Sequence, residues 1–227
     1  MTLNASFPDQ SCVLMIGSPG IGLLEFNIGL VKGYLDKDDV VVFVALDNSP
    51  MDVAAVMDSF GVPTKDLLGK RLFFLDYHSS LLGASEERAS HNDGIRHISD
   101  LEGIMFNLGA IFTETNKKMR IFIYSLSTLF LYNQANAVLK FFQLSNSKIR
   151  AQYGTSIISV HDGVHDEKTV NHLMAIADGV IELRFDEELN KVMRIRNMRG
   201  YPTSPQWMPF EIRTVDKGEP VQLLEWV

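Results

Sequence analysis

Directly after the apolar run Cys12-Val13-Leu14-Met15-Ile16, the chain reads Gly17-Ser18-Pro19-Gly20-Ile21-Gly22-Leu23-Leu24. Glycines at the first and sixth positions have the spacing of a loop that wraps a phosphate with backbone N–H groups at the start of a helix, GxxxxGK[ST]. There the lysine grips the outer phosphates and the hydroxyl holds magnesium. Leu23 and Leu24 put hydrocarbon in both places. Two uses remain for Gly17, Ser18, Pro19, Gly20, Ile21 and Gly22. They can form a vestigial phosphate loop that attracts an anion through its amides alone, or a tight strand-to-helix turn that needs glycine for conformational reasons.

Three further groups could do chemistry. Asp47-Asn48, in ALDNSP, offers an acid at the end of an apolar run, although the same residues suit a loop leading to a helix cap. His161, Asp162, His165, Asp166 and His172 cluster in VHDGVHDEKTVNH, but their spacing matches no zinc pattern, so no metal is expected. Arg194, Arg196 and Arg199 alternate along a late segment, where they form either one solvated face or an anion contact between subunits.

Composition limits the setting. The 227 residues are 46% hydrophobic, enough to bury the core of one α/β domain. A formal net charge of −7 opposes a role in which the protein neutralises a run of phosphates, so no nucleic-acid partner is expected. A single cysteine, Cys12, excludes an internal disulfide and fits a reducing cytoplasm. No export signal and no apolar run of membrane-spanning length is evident, so no membrane partner is expected either.

The elements that must position these residues follow from periodicity. Cys12–Ile16, Val40–Val44, Leu72–Leu75 and Ile121–Tyr124 are short apolar runs that read as strands, the first and third of them buried, and Thr155–Val160 reads as a further strand. Leu24, Ile28, Val31 and Leu35 recur at helical spacing after the glycine loop, and Ser49-Pro50-Met51-Asp52 caps a second helix. Ser99-Asp100-Leu101-Glu102 reads as a capping box opening a third, and residues 135–142 form another. The polar segment 79–92 reads as a mobile loop. Alternating strands and helices predict a mostly parallel sheet flanked by helices. From Gly179 the alternation of residues 180–185 and 192–196 predicts antiparallel strands. One domain is therefore expected over 1–227, with an α/β core over 1–178 and a C-terminal β segment over 179–227.

In this order and at these separations, several stretches carry a resemblance. Besides the loop they are Asp58-Ser59-Phe60-Gly61 with Gly69-Lys70-Arg71-Leu72, Ile123-Tyr124-Ser125-Leu126-Ser127, Ala177-Asp178-Gly179-Val180-Ile181, and Arg196-Asn197-Met198-Arg199-Gly200 with Pro209-Phe210-Glu211-Ile212. From about Pro8 to Ile212 the chain resembles KaiC-like members of the RecA-type P-loop ATPase superfamily. The resemblance implies a RecA-like fold and an ATP-driven, usually ring-forming protein with nucleotide between subunits.

Matched to that family, Leu23 stands where the lysine is expected, Leu24 where the hydroxyl is, and Tyr124 where a magnesium-associated aspartate ends its strand. Asp47-Asn48 occupies the place of two consecutive acids. Asn197 replaces a lysine that reaches the neighbour's nucleotide, while Arg199 keeps its partner arginine. These departures imply a non-catalytic, cytoplasmic, regulatory or scaffold subunit that assembles with itself or with an active KaiC-like paralogue. ATP and magnesium are not expected to bind tightly, and Asp47, Arg196 and Arg199 are the expected interface residues. The alternative is a weak ATP-binding protein or ATPase with substitute residues, for which Lys32, Lys70 and Lys117 are candidates. The resemblance also suggests an archaeal source.

Overall fold

The computed structural model describes residues 7–83 and 94–212. Strands β1 (Cys12–Gly17), β2 (Val40–Ala45), β3 (Leu72–Asp76), β4 (Ile95–His97), β5 (Met119–Tyr124), β6 (Gly154–His161) and β7 (Gly179–Phe185) run parallel. β8 (Lys191–Met198) and β9 (Met208–Pro209) continue the sheet antiparallel. Their order is β4-β3-β2-β5-β6-β1-β7-β8-β9. Every residue of β1, β2 and β3 is buried, because helices cover both faces of the sheet. The expected C-terminal antiparallel segment is present, and it joins the same sheet through β7, which pairs with β1 in parallel.

Helices α1 (Leu23–Leu35), α2 (Pro50–Ser59) and the turn α3 (Thr64–Leu67) cover one face, where Phe26, Val31, Met57 and Phe60 pack against Phe43 and Phe74. The other face carries α4 (His78–Leu81), α5 (Leu101–Thr115), α6 (Leu126–Tyr132), α7 (Ala135–Lys148) and α8 (Glu167–Ile176), around Leu108, Leu129, Phe142 and Leu173. No described helix is long and apolar enough to cross a membrane.

Local chemistry sets the helix starts. Ser49 accepts from the Asp52 N–H (3.2 Å) with Pro50 in the first turn, as expected. At α5 the cap is Asp100, not Ser99. Its carboxylate accepts from the Gly103 N–H at 2.6 Å, because the helix begins one residue later than the box pattern requires and aspartate caps as well as serine. Among the elements not expected from the sequence are β4 and α8. β4 is a three-residue edge, whereas α8 does carry a signal, with Val170, Leu173 and Met174 at helical spacing behind the Asp166 cap. The expected loop over 79–92 opens with the α4 turn, and residues 84–92 of it lie outside the described residues.

At the N-terminal edge of the sheet, Asp178 accepts from the Cys12 N–H (2.9 Å) and from Arg150 (2.8 and 3.0 Å), and it pairs with Arg199 at 2.7 Å. Cys12 is wholly buried beside it, and burial pushes its thiol up to about 12. The native chain is therefore expected to resist alkylation at pH 8 while the denatured chain is labelled stoichiometrically. Mass spectrometry after timed labelling checks this.

Candidate functional site

The glycine loop joins β1 to α1 at the C-terminal end of the sheet, where open α/β sheets bind ligands. Gly20 and Gly22 adopt left-handed backbone (φ 78° and 89°), which the tight turn requires. Part of the loop's hydrogen bonding is spent inside the chain: Ser18 N–H donates to the Leu183 carbonyl (3.0 Å), Ile21 N–H to that of Ser18 (3.1 Å), and Gly17's carbonyl accepts from Asp162 N–H (2.9 Å). No side chain caps α1.

Leu23 decides the interior of the loop. It is 4% exposed and folds back over Gly17, so closely that a Cβ at Gly17 would stand 2.9 Å from Leu23 Cδ1. Asn27 fixes this first turn, donating to the Leu23 carbonyl (2.7 Å) and to Ser159 Oγ (3.0 Å) from a buried position. Leu24 is half-buried against the same apolar cluster. Outside the loop, Ile212 covers Gly22, with its Cδ1 2.5 Å from where a Cβ would stand. Tyr124 joins the cluster that holds Leu23, lies 6.3 Å from Phe43 ring to ring, and is 8% exposed. Burial, then the charges of Asp47 and Glu25, push its phenol well above the ordinary range, so it stays a neutral hydroxyl.

Asp47 faces inward. Its carboxylate accepts from Ser125 N–H (2.8 Å), Ser125 Oγ (2.9 Å), Thr128 Oγ (2.5 Å) and His161 Nε2 (2.9 Å). Burial alone would raise its pKa; the bonds from His161, Thr128 and Ser125 outweigh that and hold it below the usual carboxylate range. One carboxylate thus ties the end of β2 to the start of α6 and the end of β6. His165 bonds Ser127 Oγ (2.8 Å), which also accepts from His161 N–H (3.0 Å), whereas His172 is exposed on α8. The histidine-rich segment therefore supplies one hydrogen-bonded network and a separate surface residue.

The residues expected at an interface are not alike. Arg196 and Arg199 have side chains that are 49% and 64% exposed, although each is already paired, with Glu182 (3.2 Å) and Asp178 (2.7 Å). Asp47 is 17% exposed and hydrogen-bonded to Ser125, Thr128 and His161, and it lies at the opposite end of the strands from Arg199.

Lys32, Lys70 and Lys117 stand at the N-terminal end of the sheet, Lys32 in a pair with Asp36 at 2.8 Å. None faces the loop. The lysine near it is Lys191, whose Nζ is 3.2 Å from a Cβ position at Gly22, with the Glu25 carboxylate at 3.5 Å from the same point. Sequence reasoning missed Lys191. The signal was the hairpin register, which sets Lys191 opposite Phe185 at the end of the sheet where β1 enters the loop.

Comparisons with known proteins agree with this layout. Residues 1–219 match the family described as KaiC ATPase. A UPF0273 protein of Thermotoga maritima is 30% identical over 95% of this chain and 89% of its own length. One from Pyrococcus horikoshii is 28% identical over 95% and 87%. In fold, the chain is similar to a crystallised KaiC-like protein of P. horikoshii, with a TM-score of 0.76 at 23% identity over 96% of this chain and 92% of that one.

Proposed function

The chain belongs to the KaiC family of RecA-type P-loop ATPases, and we propose that within it this protein is a non-catalytic member, a cytoplasmic regulatory or scaffold subunit. The observation that carries the reading is Leu23 packed over Gly17, the first glycine of the loop whose spacing matches a phosphate loop. Phosphoryl transfer depends on positioning and on neutralising charge at the outer phosphate. Leu23 and Leu24 bring no charge or oxygen, Tyr124 is a buried neutral phenol, and Asp47 has its oxygens occupied. Magnesium triphosphate does not fit this donor set, so no catalytic step is assigned.

Losing two charge-assisted hydrogen bonds of roughly 1.5–3 kcal/mol each weakens binding by about 10² to 10⁴-fold. Isothermal titration with Mg·ATP is expected to show no saturable binding in the micromolar range, and phosphate release is expected to stay at background. Turnover that disappears when the Gly17–Gly22 loop is altered would sink the proposal.

One observation favours a second reading, a weak anion or nucleotide binder. Lys191 and the uncapped start of α1 sit together beside Gly22. Any weak ATP binding is then expected to fall several-fold in Lys191→Met. If binding occurs and ignores that substitution, Lys191 is not its ligand.

A further inference from the structure

An exposed apolar groove lies between α5 and α7, on the face of the sheet opposite α1. Leu101, Met105 and Phe141 form its floor and pack downward on the core. Phe106 on α5 and Leu144 on α7 stand above it, 76% and 59% exposed. The groove continues past Gly109 and Ala110 to Tyr153. Large apolar side chains at this exposure in mid-helix mark a contact surface.

Its charge is one-sided along α7. Lys140 and Lys148 flank Leu144 at intervals of four, on one face of the helix, and both are exposed. Neither has a carboxylate partner among the described residues; Lys148 instead lies 5.7 Å from the Tyr153 ring. On the α5 side Glu114 is held by Arg96, leaving Glu102 at one end. An occupant should therefore be apolar with acidic flanks.

The chain carries such a segment. Residues 219–227 read EPVQLLEWV, with Leu223 and Leu224 between Glu219 and Glu225 and Trp226 directly after them. We propose that this segment of one copy docks in the α5–α7 groove of a second copy, a deeper form of the self-assembly in the subunit reading above and resting on it. The reach of the linker favours a second copy. Ile212 packs on the α1 face, whereas the groove opens on the other face, two packed layers or about 20 Å away through the molecule and farther around its edge. The six residues 213–218 span at most about 20 Å. A head-to-tail contact of this kind builds a ring or an open chain of subunits.

Light scattering on the full chain from one to a hundred micromolar tests this, alongside anisotropy of a labelled 213–227 peptide added to the full chain. Mass is expected to rise with concentration and the peptide to bind. Phe106→Ser with Leu144→Ser should abolish both, with an unchanged circular dichroism spectrum because both side chains are exposed. Lys140→Glu with Lys148→Glu should weaken both about tenfold, and adding Glu219→Lys with Glu225→Lys to that chain should restore assembly, a rescue that mere structural damage would not allow. Assembly indifferent to all these changes overturns the docking and leaves the subunit reading standing. A chain that stays monomeric while the peptide fails to bind overturns both.

Discussion

Replacing Leu23 by lysine is expected to cost about 3 kcal/mol of stability and not to create an ATPase. Leu23 is almost fully buried, over Gly17 and within the cluster that includes Phe26 and Tyr124. Losing its burial forfeits roughly 1.5–3 kcal/mol. The ammonium must then be desolvated or swing out and leave a cavity, which adds to the loss. For a chain of this size the melting temperature should fall by about 10 °C, measurable by circular dichroism. Leu24→Thr added to it supplies a hydroxyl, so ATP affinity should rise modestly, yet Tyr124 still leaves no carboxylate at the end of β5. Efficient hydrolysis by the double variant would mean that Leu23 and Leu24 were the whole defect.

Asp47→Ala should destabilise the fold by a similar amount, about 3 kcal/mol, because it strands the Ser125 N–H and the donors on Ser125, Thr128 and His161 in a mostly buried place. The sign of the pH effect follows from the lowered pKa. A carboxyl whose folded-state pKa lies below its unfolded value contributes stability that is fully present above the unfolded value, about 4, and lost as pH falls through the folded value. The gap between wild type and Asp47→Ala should hold from pH 5 upward and close below pH 4 in urea titrations. A gap that stays open at low pH would show that packing, not the charge, carries the effect.

Much of the architecture was legible in the chain. Strands β1, β2, β3 and β5 were readable because each buries both faces and so writes an apolar run, and β6 because Ile157, Ile158 and Val160 stand among small hydroxyl residues that fit a buried strand. α1, α2 and α5 were readable because their apolar stripes follow capping or turn residues. β4 was not, since a three-residue edge leaves no periodic trace, and α8 was legible only as a short stripe, Val170, Leu173 and Met174, behind the Asp166 cap. At the site, residue types alone indicated that the lysine, hydroxyl and acid were missing.

The sequence by itself determined the fold class and, through the family resemblance, the missing phosphate-gripping lysine at position 23 and the missing magnesium groups at 24 and 124, because these rest on residue types at given places along the chain. Only the tertiary structure decided what took their place. Leu23 turning onto Gly17, Asp47 closing a network with α6 and β6, and Lys191 arriving beside Gly22 are contacts across 6, 78 to 114 and 169 positions. Apart from the turn at Leu23, their partners are chosen by strand order and register, which local patterning does not encode.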